Sequence, residues 1–424
     1  MNAPDKAITA AASLSARLME ATAAIHPKVV AWRRDLHANP ELGNREVRTS
    51  QVVAAHLKSL GLDQVISNVA ITGVVGVLKG GKPGPCVALR ADMDGLPVTE
   101  QVNVPFASKV RTTWNGQDTG VMHACGHDTH VAMLMGAAEV LADMRAEICG
   151  TVKFIFQPAE EGLPEGEEGG AKLMIDEGVL NDPKPDAIFG IHVVSALNSG
   201  QIGYRPGAMM ASTDNFRIKI KGKQGHASLP WHSVDPIVAS AHVVLGLQNI
   251  ISRQTDIMEN AAVLTIGTIH GGLRENIIPD EVEMTGTLRT FDETHRDEIS
   301  KEIVRKAELI ACACQATADA VVRRGYPVTV NDVKLTLWSL PTLTRAAGEG
   351  NVLHIPKVGG GEDFSYFQQK LPGAFYFIGC TPPDKKASEA PTNHSPHFYV
   401  DEDGMKVGTR VLVSLVADYQ EGPV

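Results

Sequence analysis

At 424 residues the chain is too long for one ordinary core, so two domains are expected. Its composition, 43% hydrophobic and 21% charged, is that of a globular protein, and a formal net charge of −10 argues against nucleic acid or an anionic membrane as partner, since both call for basic surfaces. No apolar run is long enough to span a bilayer, because the best candidate, residues 131–142, is short and carries Glu139. The alanine-rich N-terminus is interrupted by Asp5, Arg17 and Glu20 and lacks a basic segment leading into an apolar core, so no signal peptide is read there. Six cysteines without paired spacing fit free thiols in a reducing cytoplasm, and Cys312 and Cys314, two apart in a helical pattern, are expected to pack rather than to ligate.

Residues 13–38 and 44–60 read as helices, the second stopped by Gly61. Residues 74–78 and 86–91 are β-rich runs, and the turn Gly80-Gly81-Lys82-Pro83-Gly84 between them predicts a hairpin. Gly76 to Lys82 has the spacing of a phosphate-binding loop, but Pro83 stands where that motif needs a hydroxyl and no helix follows, so the reading is rejected. The strand ending at Arg90 runs into Ala91-Asp92-Met93-Asp94-Gly95. Carboxylates just past a buried strand are where α/β sheets place their chemistry, with a solvated turn as the competing reading.

The stretch from Met122 to His130 holds three histidines, one cysteine and one aspartate in nine residues. A helix is read over 126–145, so Cys125 and His127 stand at its mouth, separated by Gly126, the residue type best able to take a strained turn. Thiolate, imidazole and carboxylate suit a borderline divalent metal such as zinc, manganese or cobalt, against the plainer reading of clustered histidines and an ordinary buried thiol. The next strand, 151–156, leads into Gln157-Pro158-Ala159-Glu160-Glu161-Gly162. Two adjacent carboxylates there can divide the work, one holding a metal and the other moving protons. Glu165, Glu167 and Glu168 beyond them read as a solvated loop. A helix near 169–178 precedes a strand over 187–192 that His192 ends.

From residue 211 the order strand 216–221, helix 235–252, strands 262–269 and 282–290, helix 295–314 and strand 316–323 is βαββαβ, the ferredoxin-like arrangement. The fold class expected is therefore α/β, with a catalytic domain of mixed, mostly parallel sheet between helices over 1–210 and 329–424, interrupted by a ferredoxin-like domain over 211–328. Beyond it come the glycine-rich acidic loop Gly359-Gly360-Gly361-Glu362-Asp363-Phe364, a buried strand over 374–378, the polar loop Thr392-Asn393-His394-Ser395-Pro396-His397-Phe398 and a closing helix over 403–419. Neither a Gly-x-Ser-x-Gly elbow nor a His-Glu-x-x-His helix occurs, which removes serine-hydrolase and zincin readings.

Seven motifs stand in order: Leu89-Arg90-Ala91-Asp92-Met93-Asp94, His123-Ala124-Cys125-Gly126-His127-Asp128, Phe156-Gln157-Pro158-Ala159-Glu160-Glu161, Gly225-His226-Ala227, Asn276-Ile277-Ile278-Pro279-Asp280, Gly361-Glu362-Asp363-Phe364 and His394-Ser395-Pro396. Together they resemble the peptidase M20 family, specifically its amidohydrolase branch of hippurate hydrolases, aminoacylases and auxin-conjugate hydrolases, from about Trp32 to Val416. The resemblance implies a hydrolase holding two divalent metal ions (zinc, manganese, cobalt or nickel) on Cys125, His127, Glu161, His192 and His394, with Cys125 shared. It implies Glu160 as the catalytic carboxylate and Asp94 and Asp92 as residues that orient ligands. The inserted domain would be a lid that forms a homodimer, with His226 reaching the partner's active site. Asn276 and Arg289 are candidates for substrate contact, Arg289 equally for a surface ion pair.

The implied reaction is cleavage of the amide bond of N-acyl amino acids or related small amides, with Glu160 as general base and acid. The chain departs from the branch pattern at Ser228-Leu229-Pro230-Trp231, at Arg274-Glu275 and in the acidic loop 163–168, places where substrate would enter. A dipeptidase or an aminohydrolase releasing an aromatic amine is therefore the alternative on the same site. A non-catalytic dimeric scaffold with one structural metal is a second, and the retained Glu160 counts against it.

Overall fold

The computed structural model describes residues 3–164 and 166–422, with side chains from residue 14 onward. Glu165 of the acidic loop lies outside the described residues. The chain divides into two compact units, Met1–Gly207 with Asn331–Pro356 and Tyr366–Val424, and Ala208–Val330 with Lys357–Ser365.

In chain order the first unit supplies helices α1 (Ala3–Ala38) and α2 (Val47–Ser59), strands β1 (Gln64–Val69), β2 (Gly73–Lys79) and β3 (Lys82–Asp92), and helix α3 (His127–Asp143). Strands β4 (Cys149–Gln157), β5 (Ala187–Asn198) and β6 (Ile202–Tyr204) follow. The second unit contributes β7 (Asp214–Lys221), α4 (Pro236–Asn249), β8 (Ala262–Gly271), β9 (Glu281–Thr290), α5 (Glu293–Ala313) and β10 (Thr317–Arg323). The first unit resumes with α6 (Val333–Ala347), β11 (Val352–His354), β12 (Gly373–Thr381) and α7 (Met405–Glu421).

The sheet of the first unit runs β1-β2-β4-β3-β5-β12-β6-β11. Its centre, β4-β3-β5-β12, is parallel, while β1, β2 and β6 pair antiparallel with their inner neighbours. Strands covered on both faces need no polar side, and β12 is buried at all nine positions. Val87, Leu89, Phe154 and Phe189 from the strands join Met133, Leu134, Ala137, Leu412 and Leu415 from α3 and α7 in one core. Asp92 pairs with Gln157 in register, so the chain leaves β3 and β4 side by side, carrying Asp94 away from one and Glu160 and Glu161 away from the other.

Two expectations need correction. The glycine turn after β2 does not close a hairpin, because β4 lies between β2 and β3. The run instead crosses close over the start of β4: Gly80 N–H donates to Gly150 O at 2.8 Å and Gly81 N–H to Arg145 O at 2.7 Å. A Cβ at Gly80, Gly81 or Gly84 would meet backbone atoms at 2.3, 2.6 and 2.7 Å, so the glycines serve a backbone crossing rather than a tight turn. Second, His192 does not end its strand, since β5 continues to Asn198 alongside β12. The residue is nevertheless two past the last β3 pairing, Arg90 with Gly190, and so is level with the point where β3 runs out.

The second unit is an antiparallel sheet in the order β8-β9-β7-β10 packed against α4 and α5, around Phe216, Ile218, Val243, Leu247, Met284, Leu288, Ile299 and Ile303. Asp235 and Asp292 cap the two helices through backbone N–H groups, and buried Arg296 clasps Asp214 at 2.6 and 2.8 Å. Cys314 packs partly against this core, but Cys312 is exposed on the last turn of α5, contrary to expectation. Among the described residues no helix is long and apolar enough to cross a membrane.

Candidate metal centre

Gly126, at the entry to α3, has φ +89°, and a Cβ there would stand 2.3 Å from Val193 Cγ2, so glycine alone fits. This turn presents the donors on either side of it. Cys125 Sγ lies 3.4 Å from His192 Nε2 and 3.3 Å from His394 Nε2. Glu161 Oε1 lies 3.1 Å from His394 Nε2 and 3.7 Å from His127 Nε2. The five residues form two overlapping triads, Cys125–His127–His192 and Cys125–Glu161–His394, each with ligand atoms within 4.8 Å of one another. Cys125 belongs to both. Glu160 approaches from the side, its Oε2 3.9 Å from His127 Nε2, and forms a further grouping with His127 and Glu161.

Surrounding hydrogen bonds set which imidazole nitrogen faces the centre. His192 Nδ1 donates to Val193 O at 2.8 Å, which leaves Nε2 with its lone pair toward Cys125. His127 Nδ1 lies 3.2 Å from Asp94 Oδ1, and its buried Nε2 meets no hydrogen-bond partner among the described residues. The other oxygen of Asp94 accepts the Glu161 N–H at 2.9 Å, so one carboxylate braces two members of the cluster. His130 has both ring nitrogens engaged, Nδ1 with Asp92 at 2.5 Å and Nε2 accepting the Val193 N–H at 2.9 Å, and so has no lone pair to offer. Buried Arg90 ties Asp92 to Gln157 at 2.6 and 2.8 Å. His123, the remaining histidine of the stretch, is buried without a partner for either nitrogen among the described residues; burial lowers it to about 4 and keeps it neutral.

His394 sits at φ +71° with its N–H on Ala124 O at 2.8 Å. Its neighbour Asn393 donates to Cys125 O at 3.2 Å and Val193 O at 3.0 Å and accepts from Ser195 N–H at 3.3 Å, fastening this loop to the turn before α3 and to β5. The sequence pointed to the loop but not to Asn393, whose partners are all backbone atoms or a thiol.

Electrostatics test whether cations fit. Burial disfavours a charged His127, yet the carboxylates of Asp92, Asp94 and Glu161 outweigh it and push the imidazole up to about 10. Burial also opposes ionisation of Glu161, but His394 and His127 hold its carboxyl below the usual range. Cys125 is driven the other way, its thiolate disfavoured by burial and by Glu161 and Glu160. The centre is thus a negative pocket in which a proton on His127 does what a cation would do better, and in which a cation would allow the thiolate. A thiol, three imidazoles whose Nε2 atoms turn toward it or toward Glu161, and a carboxylate are a fitting donor set for borderline divalent metals.

Asp128, next to His127, is fully buried between Arg33 Nε at 2.9 Å and His37 Nδ1 at 2.8 Å, both from α1. His37 Nε2 continues to Glu100 at 3.1 Å. Burial opposes its charge, but Arg33 and His37 hold the Asp128 carboxyl well below the usual carboxylate range. Asp128→Asn removes the anion that Arg33 and His37 share, leaving Arg33 to Glu402 at 3.2 Å and His37 to Glu100, and is expected to cost about 3 kcal/mol, the low end for a broken buried pair. Urea denaturation measures it, and a loss under about 1 kcal/mol, the worth of an exposed pair, would deny the network that role.

Three expected substrate residues lie in the second unit. A two-stranded ribbon, Gly225–His226 with Ile277–Ile278, brings His226 and Asn276 together, and Ala227 N–H donates to Asn276 O at 3.1 Å. His226 is exposed, with Nδ1 accepting the Ser228 N–H at 3.1 Å. Arg289 lies on β9, donating to the carbonyls of Asp214 and Leu288 and meeting no carboxylate within ion-pair distance among the described residues. Trp231 follows His226 on a short turn and is 71% exposed.

Residues 88–418 match the family model of Peptidase family M20/M25/M40. The chain is 43% identical over 383 residues to thermostable carboxypeptidase 2 of Saccharolobus solfataricus, covering 90% of this chain and 92% of that protein. It is 39% identical over 398 residues to the N-acetylcysteine deacetylase of Bacillus subtilis, covering 92% and 97%. Among solved structures, the Bacillus subtilis YXEP protein, described as a dinuclear metal binding peptidase, superposes with a TM-score of 0.77 at 36% identity, covering 94% of this chain and 99% of that one.

Proposed function

Because the chain belongs to peptidase family M20/M25/M40, and is a metal-dependent hydrolase acting on C–N bonds, we propose that it removes the acyl group from N-acyl amino acids or closely related small amides. The observation that carries the reading is the meeting of Cys125, His127, Glu161, His192 and His394 around one thiol, with Glu160 beside them. Cys125, His127 and His192 would hold one divalent ion and Cys125, Glu161 and His394 the other. When bound, such ions polarise a carbonyl and acidify water.

The chain's own residues do the rest. Glu160 takes the proton from the attacking water and returns it to the departing amine, without which C–N cleavage would expel an unstable amide anion. Asp94 keeps His127 in the tautomer whose Nε2 is aimed inward. His226 is assigned as donor to the developing oxyanion and Asn276, its neighbour on the ribbon, as a substrate hydrogen-bond partner. Arg289 is assigned to the substrate carboxylate, since a half-buried guanidinium without a carboxylate partner is suited to an anion.

The second unit is read as a ferredoxin-like lid spanning 211–328, its antiparallel β8-β9-β7-β10 order being that of a βαββαβ domain. It would form a homodimer, with His226 serving the partner's site. The edge strand β8 exposes Val263 and Ile269, an unpaired apolar edge of the kind soluble chains cover. A peptidase reading of the same site draws on the 43% identity to a carboxypeptidase.

One assay separates these. Protein stripped of metal and reloaded with zinc, manganese, cobalt or nickel is presented with N-acetyl and N-benzoyl amino acids, dipeptides and aryl amides. Metal-dependent cleavage is expected on the N-acyl amino acids in preference to dipeptides. Faster turnover of dipeptides would move the assignment to peptidase, and activity surviving full chelation would end it.

A further inference from the structure

Glu46, just before α2, is completely buried although nothing in the sequence marks it. Its Oε1 accepts the backbone N–H of Ala159 at 2.8 Å and its Oε2 the hydroxyl of Thr72 at 2.6 Å. Ala159 immediately precedes Glu160 and has φ +55°, a left-handed conformation in which a residue with a Cβ is held only by its surroundings. The fit is close, for a Cβ on Gly43 would stand 3.1 Å from Ala159 Cα and 3.2 Å from its Cβ. Two residues on, the Glu161 N–H is fixed by Asp94. The backbone carrying Glu160 is therefore pinned by a carboxylate on each side, Glu46 before it and Asp94 after it.

We infer that Glu46 is a positioning residue for Glu160: its hydrogen bond to Ala159 sustains the left-handed turn that aims the proton-carrying carboxylate. The inference rests on the assignment of Glu160 as general base. Asp94 already serves His127, so Glu46 is the support whose effect falls on Glu160 without touching a metal-ligating side chain. Burial and Asp94 push the Glu46 carboxyl up to about 7, and an uncharged carboxyl still offers Oε1 to Ala159. A neutral amide should therefore replace it.

The test measures kcat, KM and bound metal for the holoenzyme with Glu46→Ala, Glu46→Gln and Thr72→Val on the N-acyl amino acid it cleaves. Glu46→Ala is expected to lower kcat roughly 10–100-fold, with KM and metal content near the parent values. Glu46→Gln keeps the acceptor and is expected to restore kcat, which a purely electrostatic role would not allow. Thr72→Val frees one carboxylate oxygen and should lower kcat several-fold, so it decides the matter with Glu46→Gln even if the alanine variant fails to fold. Parent-like kcat in Glu46→Ala or Thr72→Val, or a loss in Glu46→Gln as deep as in alanine, overturns the inference. Glu160→Gln in the same series keeps the two failures apart: if it retains turnover, the assignment of Glu160 falls first.

Discussion

Glu160→Gln is expected to lower kcat by roughly 10²–10⁴-fold, the range spanned by a positioned proton carrier, while the protein keeps its metal and its affinity for substrate. Glutamine preserves the shape of the side chain but cannot take a proton from water, so the variant separates chemistry from binding. The geometry makes the experiment discriminating. Glu160 stands outside both triads that share Cys125, yet its Oε2 is 3.9 Å from His127 Nε2, near enough to be a ligand instead. Metal analysis alongside kinetics decides between the roles. Loss of an ion in Glu160→Gln would make Glu160 a ligand, and undiminished turnover would remove it from the chemistry. A fall in kcat with two ions retained leaves proton transfer as its task.

What could be read from the chain was whatever is signalled locally. Asp92, Asp94, Glu160 and Glu161 follow apolar strands directly, and Cys125 and His127 flank a glycine at a helix mouth, so composition and position agree on one end of a sheet. What could not be read depends on partners far away. The run Gly80–Gly84 has the composition of a hairpin turn, and only the passage of β4 between β2 and β3 shows that its glycines serve a crossing of backbones. β1 is not legible because, at the sheet's edge, none of its positions is fully buried and Gln64, Ser67 and Asn68 break up its apolar residues, and α6 is not because Pro341 interrupts its helical pattern. Glu46 bonds to a main-chain N–H 113 residues on, and Asn393 to main-chain carbonyls; a contact with backbone imposes no residue type on its partner and leaves no trace in sequence.

Cys125→Ala is expected to remove both metal ions and with them all detectable hydrolysis, whereas His192→Ala should cost one ion first. The difference follows from how the donors overlap. Cys125 Sγ is 3.4 Å from His192 Nε2 and 3.3 Å from His394 Nε2, the only donor common to the triads with those two histidines, while His192 enters just one of the two. Deleting the thiol also deletes the negative charge that the bound ions would induce there, because burial and the flanking glutamates keep Cys125 protonated unless a cation stabilises its thiolate. Cys125→Ser should fare little better, since a hydroxyl holds its proton far more firmly than a thiol and cannot supply that charge. Elemental analysis after dialysis against a fixed low concentration of the ion reads the stoichiometry directly: two per chain in the parent, near zero in Cys125→Ala, near one in His192→Ala. If Cys125→Ala retained one tightly bound ion, the thiol would belong to a single site and the two triads would have to be drawn apart. Retention of both ions with full activity would leave the convergence of these five side chains without a metal to explain it.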